Sequence, residues 1–105
     1  MVKRTRFEKT GCPIARALDA LGDGWSLLII RDALTGIRRF NEFQKDLGVA
    51  KNILTVRLRT LTAQGILKTQ PADDGSAYMK YVLTPKGRAV FLILAALRQW
   101  GEEFS

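Results

Sequence analysis

The stretch FNEFQKDLGVAKNILTVRLRTLTAQG, from Phe40 to Gly65, decides the fold of this chain. It predicts two short helices joined by a tight turn at Leu47 to Ala50. The first helix has an apolar side formed by Phe40, Phe43 and Leu47, and Gly48 can take the left-handed conformation that ends a helix. Two helices with a short turn form a helix-turn-helix. An ordinary helical hairpin with a solvated face is the alternative at this point.

The second of these helices, predicted over Ala50 to Gln64, has two unlike sides. Three leucines, Leu54, Leu58 and Leu61, fall on one narrow stripe, which must face a core. The opposite side is too polar to be buried, and its residue types can contact base edges, because arginine donates in a fork and asparagine pairs bidentately. The residues of this side that we predict to contact DNA are Lys51, Asn52, Thr55, Val56 and Arg59.

Length and composition indicate one small globular domain. The chain has 105 residues, of which 47% are hydrophobic and 26% charged, and this length allows one modest core without a large catalytic cleft. The formal charge of +7 and the pI near 10.1 favour a polyanionic partner, which can be nucleic acid, an anionic membrane surface or an acidic protein.

The chain carries no signal for a membrane or for secretion. Its longest apolar run, Ala89 to Leu97, is far shorter than the roughly 20 residues of a spanning helix, so no membrane partner is predicted. No apolar signal core follows the basic start, so we predict that residues 1–11 form a basic arm and residues 12–105 the domain of a cytoplasmic protein. The single cysteine, Cys12, permits no internal disulfide, which agrees with a reducing compartment.

Two further helices are predicted before the helix-turn-helix. The first opens at Cys12 and Pro13, since proline suits a first helical turn, and ends at Gly22. The second, from Trp25 to Leu34, is apolar on nearly every side except near Ser26, Arg31 and Asp32, and should lie at the centre of the core. The segment Ile37 to Arg39 is predicted to be extended, and is too short for more than a single bridge to a sheet edge.

A β-hairpin and a last helix are predicted after it. The strands cover Ile66 to Gln70 and Tyr78 to Leu83, and Thr84 can cap the helix that runs on to about Trp100. This helix has apolar residues on most of its sides, so we predict that it packs against a partner chain as well as its own domain. One of its apolar sides comprises Val90, Phe91, Leu94, Leu97 and Trp100.

This order of elements is that of a winged helix-turn-helix domain, in which the recognition helix enters the major groove and the hairpin, called the wing, lies beside it. The sequence also resembles the HxlR-type group of small bacterial and archaeal transcriptional regulators, which are related to the MarR-like winged-helix proteins. The matching fragments are CPIARALDALGDGW from Cys12, LLIIRDAL ending at Leu34, RRFNEFQKDL from Arg38, LTVRLRTLTAQGIL from Leu54 and YVLTPKG from Tyr81. The predicted fold class is mainly α (α+β), a winged helix-turn-helix with a two-stranded β-hairpin wing and N- and C-terminal dimerisation helices.

The resemblance implies how such a chain acts. Members of the group are dimeric repressors or activators that bind near-palindromic operators, so the implied partners are double-stranded DNA and a second copy of the chain. A small-molecule or oxidant effector is left open. The residues that we predict at the dimer interface are Phe7, Ile14, Leu18, Leu92, Ile93, Ala96 and Trp100.

The sequence departs from the group's pattern at two positions. Ala50 stands where similar proteins often have a capping Ser or Thr, so the recognition helix should begin later or rely on another cap, at a loss of about 1 kcal/mol. Tyr78 stands where many relatives have a wing arginine, which leaves Lys80, together with Lys68, as the basic wing contact.

The arginines near the helix-turn-helix differ in their predicted roles. We predict that Arg38 and Arg39, which precede its first helix, contact phosphates, the alternative being generic surface charge. Arg57 lies nearer the leucine stripe and is predicted to hold the fold or a phosphate.

Cys12 is the candidate for thiol chemistry. It precedes a helix, where the unpaired N–H groups of the first turn favour a thiolate, and Lys9 and Arg16 are close in sequence. Some relatives use the cysteine at this position to sense electrophiles or oxidants. The alternative is burial as a small hydrophobic residue.

An enzyme is disfavoured, and neither a cofactor nor a metal is predicted. The chain has no histidine, no second cysteine for a metal clip, no glycine-rich phosphate loop and no carboxylate pair in an apolar setting. The main alternative to a DNA-binding regulator is a winged-helix adaptor that binds protein or RNA, because a fold does not fix its function.

Overall fold

A computed structural model describes residues 11–105, and within them six helices and a two-stranded sheet follow the predicted order. Phe7 and the remainder of the predicted basic arm up to Thr10 lie outside the described residues. The elements are α1 (Pro13–Leu21), α2 (Gly24–Thr35), α3 (Phe40–Leu47), α4 (Lys51–Ala63), β1 (Leu67–Pro71), β2 (Met79–Leu83), α5 (Pro85–Arg88) and α6 (Phe91–Phe104). The winged helix-turn-helix fold is confirmed.

Helix α2 contributes Ile29 and Ile30 to the core, as its apolar sequence predicts. Its N-terminus is capped by Asp23, whose carboxylate accepts the backbone N–H of Ser26 at 2.7 Å and the Ser26 hydroxyl at 2.6 Å. Ser26 and Asp32 interrupt the apolar surface of this helix in the sequence. They do not face solvent, because both side chains are buried. Each is held by a neighbour: Ser26 donates to Asp23, and Asp32 accepts from Arg31 at 3.1 Å.

The helix-turn-helix consists of α3 and α4. Gly48 ends α3 with φ 65°, and its N–H donates to the carbonyl of Gln44 at 2.8 Å. Helix α4 begins at Lys51, one residue later than predicted, and Ala50 offers its first turn no side-chain hydrogen bond. The leucine stripe of α4 faces the core, and none of its three side chains is more than 1% exposed. This stripe fixes which side of α4 is left for a partner.

The wing is an antiparallel hairpin whose register pairs Leu67 with Leu83 and Thr69 with Tyr81. Both leucines are buried, so the base of the wing belongs to the core. The backbone N–H of Tyr81 donates to the carbonyl of Arg38 at 2.7 Å. This hydrogen bond joins the extended segment before α3 to the edge of the sheet, although the segment forms no β-bridge there.

The last helix is not continuous, contrary to the prediction. Thr84 caps the short α5 by accepting the N–H of Gly87 at 3.1 Å, and the chain then turns through Ala89 and Val90 before α6. At the turn the hydrogen bonds shorten to an i to i+3 pattern, from the N–H of Val90 to the carbonyl of Gly87. Gly87 and Val90, on either side of the break, are both buried against the domain.

Helix α6 contributes no buried residue, although one of its sides was expected to serve the domain. Of the five residues on that side, Val90 is buried before the helix begins and Leu94 is half-buried, whereas Trp100 is 64% exposed and Phe91 and Leu97 are also exposed. The C-terminal end of the described chain therefore carries exposed apolar side chains. Across residues 11–105, every helix falls short of the length and apolarity needed to cross a membrane.

Candidate nucleic-acid interface

The outward face of α4 carries the five side chains that the sequence predicts there. Lys51, Asn52, Thr55 and Arg59 are exposed, and Val56 is 50% exposed. Neither Lys51 nor Arg59 forms an ion pair with an acidic residue of the described chain. Their charges therefore remain available to an external anion. The first turn of α4 also contains no acidic residue to oppose the partial positive charge of the helix N-terminus.

Two wing residues that sequence reasoning missed lie beside this face. A groove of about 410 Å³ between α4 and the hairpin is lined by Thr55 and Arg59 on one side and by the cross-strand pair Thr69 and Tyr81 on the other. Thr69 and Tyr81 lie on the same face of the hairpin because side chains alternate along each strand. The sequence alone does not show that they are paired, since this depends on the register of the two strands. The groove extends the polar surface of α4 onto the wing.

Arg57 holds the fold, which is one of the two roles predicted for it. Its Nε lies 3.4 Å from Oδ1 of Asp23, and both side chains are largely shielded from solvent. Because Asp23 also caps α2, this carboxylate joins the first turn of α2 to the middle of α4. The ion pair thus adds a link between α2 and α4 to the packing of the buried leucine stripe.

Arg38 and Arg39, predicted to contact phosphates, both have partners within the chain. Nη1 of Arg38 donates to the carbonyl of Ala33 at 2.9 Å, at the end of α2. The guanidinium of Arg39 forms an ion pair with Asp74 in the wing turn. Hydrogen bonds from Ser76 and Arg39 lower the pKa of Asp74 to about 2, and the same contact with Asp74 raises the pKa of Arg39. Arg39 and the wing turn thus neutralise each other in part.

Lys80 lies on the hairpin face opposite the one that lines the groove with α4. It occupies β2 between Tyr81 and Met79, and alternation along a strand directs neighbouring side chains to opposite faces. Its Nζ contacts both carboxylate oxygens of Asp73 at 2.9 Å. On the other side of the wing, the exposed Tyr78 and Met79 lie beside Arg39 and Asn41, and the sequence did not single out this cluster.

A cluster of one arginine and two aspartates, of which Asp32 is buried, links α2 to α3. Arg31 contacts Asp32 at 3.1 Å and Asp46 of α3 at 3.6 Å. Burial raises the pKa of Asp32, the neighbouring carboxyl of Asp46 raises it further, and Arg31 opposes the shift. This cluster orients α3 and does not reach the outward face of α4.

Cys12 is exposed at the start of α1, where it occupies the N-cap position. Burial as a small hydrophobic residue is therefore not its environment. The helix that follows it carries Ile14, which is 72% exposed, and the exposed Leu18. Cys12 therefore precedes a helix that presents exposed apolar side chains.

Comparison with known proteins gives the chain a family. Residues 20–105 match the HxlR-like helix-turn-helix model. The chain is 38% identical over 99 residues to the HTH-type transcriptional regulator Rv3095 of Mycobacterium tuberculosis, a match that covers 94% of this chain and 61% of that protein. The chain thus spans less than two thirds of the length of this mycobacterial relative.

Solved structures give the same relationship. The crystal structure of PA1607 superposes with a TM-score of 0.90 at 55% identity, covering 95% of this chain and 70% of the other. The redox regulator HypR in its reduced form superposes with a TM-score of 0.79 at 30% identity, covering 88% of this chain and 92% of the other. The resemblance predicted from the sequence is confirmed, and the chain belongs to the HxlR-like helix-turn-helix family of transcriptional regulators.

Proposed function

We propose that this chain is a transcriptional regulator that binds double-stranded DNA in a sequence-specific way as a homodimer. The observation that carries the proposal is the outward face of α4, which is polar, basic and exposed while the opposite leucine stripe is buried. Asparagine and arginine on such a face supply bidentate contacts to adenine and guanine, and Val56 supplies an apolar contact for a thymine methyl group. Lys51 adds attraction for phosphates.

The homodimer is supported by the apolar residues at both ends of the domain. All six described members of the predicted interface are exposed, and Leu92 reaches 73%. A groove of about 850 Å³ between α2 and α6, lined largely by leucines, lies next to them. A two-fold dimer would set two α4 helices about 34 Å apart, one turn of DNA, and would match a near-palindromic operator.

The test of DNA recognition is the substitution Arg59→Ala. We expect it to lower affinity for the operator by about 1–3 kcal/mol, because a bidentate base contact is lost, and to leave the thermal midpoint unchanged. Arg98→Ala on α6 removes the same charge away from α4. Because Arg98 lines the groove between α2 and α6, it serves as the control once light scattering shows that the mass of the variant is unchanged. Gel shifts would use DNA upstream of the chain's own gene and of its neighbours.

The same assay separates a DNA regulator from an adaptor for protein or RNA. Specific duplex binding should weaken steeply with salt yet survive an excess of unrelated DNA. Equal shifts for Arg59→Ala and the unsubstituted chain, or no preference for any duplex, would end the proposal.

We also propose that Cys12 senses oxidants or electrophiles. The proposal is supported by the exposure of Cys12 at the start of α1 and by the similarity of the chain to HypR, a redox regulator. Diamide or a quinone should then release DNA from the unsubstituted chain and leave the Cys12→Ser variant bound. Equal release from both proteins would remove Cys12 from the mechanism.

A further inference from the structure

A second concave surface lies at the base of the wing, on the hairpin face that carries Lys68 and Lys80. This cleft has a volume of about 390 Å³ and is bounded by the end of α2, the segment before α3, both strands and α5. Alternation along the strands separates it from Thr69 and Tyr81, which line the groove with α4. The cleft is therefore distinct from the candidate DNA-binding face.

The side chains lining this cleft carry positive charge and no negative charge. Four of them are basic, and no aspartate or glutamate is among them. The basic side chains are Arg38, Lys68, Lys80 and Arg88. They come from separate segments of the chain, so the fold rather than a local run of sequence brings them together.

Much of this charge is available to a ligand. Lys68 and Arg88 are exposed, and neither forms an ion pair with an acidic residue within the described part of the chain. Arg38 is anchored through Nη1 by the carbonyls of Ala33 and Ile37, and a guanidinium has five N–H donors in all. The anchored group can thus present its other donors without a further loss of side-chain freedom.

Lys80 is the one member of the four with an acidic partner. Its Nζ contacts Asp73, whose side chain is 90% exposed at the wing turn. The Lys80 side chain itself is 19% exposed, so Asp73 is the partner that lies in solvent and can leave the pair. An anion held by the three other basic side chains can therefore replace Asp73 as the partner of Lys80.

We propose that this cleft binds a small anion bearing two or more carboxylate or phosphate groups. Its volume lies in the range of small-molecule sites, roughly 300–1,000 Å³. Gln70 supplies an amide donor, and Leu34 and Val82 supply an apolar wall that suits the carbon skeleton of a small organic anion. A DNA backbone is disfavoured because a duplex on α4 would face the opposite side of the hairpin, an argument that rests on the proposed function.

Isothermal titration calorimetry on the DNA-free protein tests the site, with pyrophosphate and citrate as probes at constant ionic strength. We expect saturable binding of one anion per chain for at least one probe. Lys68→Gln and Arg88→Gln should each lower the affinity about tenfold, since each removes a charge-assisted hydrogen bond. Arg98→Gln on α6 loses the same charge outside the cleft and should bind as the unsubstituted chain does. Circular dichroism confirms that each variant is folded.

Three results would overturn the proposal. Heats that do not saturate with either probe would show the absence of a site. Equal weakening by Arg98→Gln would show a general effect of net charge. Loss of DNA affinity in Lys68→Gln, with no binding of either probe to the unsubstituted chain, would assign the cleft to DNA phosphates. Because the titration contains no DNA, its outcome does not depend on the Arg59→Ala test of DNA recognition.

Discussion

Single residues decide how closely the segments of this domain approach one another, and Gly87 is the clearest case. It is buried in α5, and a Cβ built on it would lie 2.2 Å from the carbonyl oxygen of Ile66 and 2.9 Å from Cδ2 of Leu83. Real Cβ atoms do not approach a backbone oxygen so closely. Only glycine lets α5 lie against the base of the wing without displacing it.

We therefore expect Gly87→Ala to lower the free energy of unfolding by about 1–3 kcal/mol through overpacking. Thermal or urea unfolding followed by circular dichroism measures the change. Gly24→Ala is the matched control, because Gly24 is an exposed first residue of α2 and a Cβ added to it would meet nothing within 4 Å. If both variants unfold like the unsubstituted chain, the close approach at Gly87 has no energetic consequence.

At the scale of elements, the recognition helix begins without a side-chain cap. Ala50 has the extended backbone of an N-cap residue, with φ −64° and ψ 144°, but its methyl group accepts no hydrogen bond. Ala50→Ser supplies a hydroxyl oxygen for the N–H groups of the first turn, and we expect a gain of about 1 kcal/mol in the free energy of unfolding. Ala63→Ser, at the other end of α4, should bring no such gain.

Thermal unfolding of the two serine variants measures this difference. A stability gain of the same size in both would mean that the hydroxyl acts by something other than capping. No gain in Ala50→Ser would mean that the first turn of α4 is already satisfied by other groups.

The elements themselves were largely predictable from the sequence, whereas their ion pairs were not. Leucine spacing located the buried side of α4, and the glycine at position 48 located the turn, because both are local signals. The contact of Arg39 with Asp74 joins residues that are far apart in sequence, and it depends on how the wing turn folds back. No periodicity reports such a contact.

The break before α6 was missed for a similar reason. The run from Val90 to Trp100 is apolar throughout most of its length, so periodicity could not show where the helix leaves the domain. The break coincides with two buried positions, Gly87 and Val90, whose burial depends on the packing of distant segments. The groove residues Thr69 and Tyr81 likewise required the register of the hairpin.

At the scale of the whole molecule, the uncovered apolar side chains predict association. Leu92 is among the most exposed of the large hydrophobic side chains described. We expect Leu92→Asp to shift the protein from dimer to monomer, because a charge would be buried without a partner in the interface. Sedimentation or light scattering measures the mass, and operator affinity should fall with it since one chain contacts only half of the site.

Glu102→Gln changes a charge on another side of the same helix, at an exposed position, and should leave the mass unchanged. A Leu92→Asp variant that keeps the mass of the unsubstituted chain would exclude Leu92 from the interface. A monomer at micromolar concentration in the unsubstituted protein would exclude the homodimer itself.

The hydrogen bond from the N–H of Tyr81 to the carbonyl of Arg38 affects how rigidly the wing is held in each copy of the proposed dimer. It joins the wing to the segment that leads into α3, while the buried leucine stripe holds α4 on the core. With the wing and the recognition helix both tied to the core in this way, each copy should meet DNA as a stiff unit. A signal that alters operator occupancy would then have to change the angle between two such units without changing the conformation of either one.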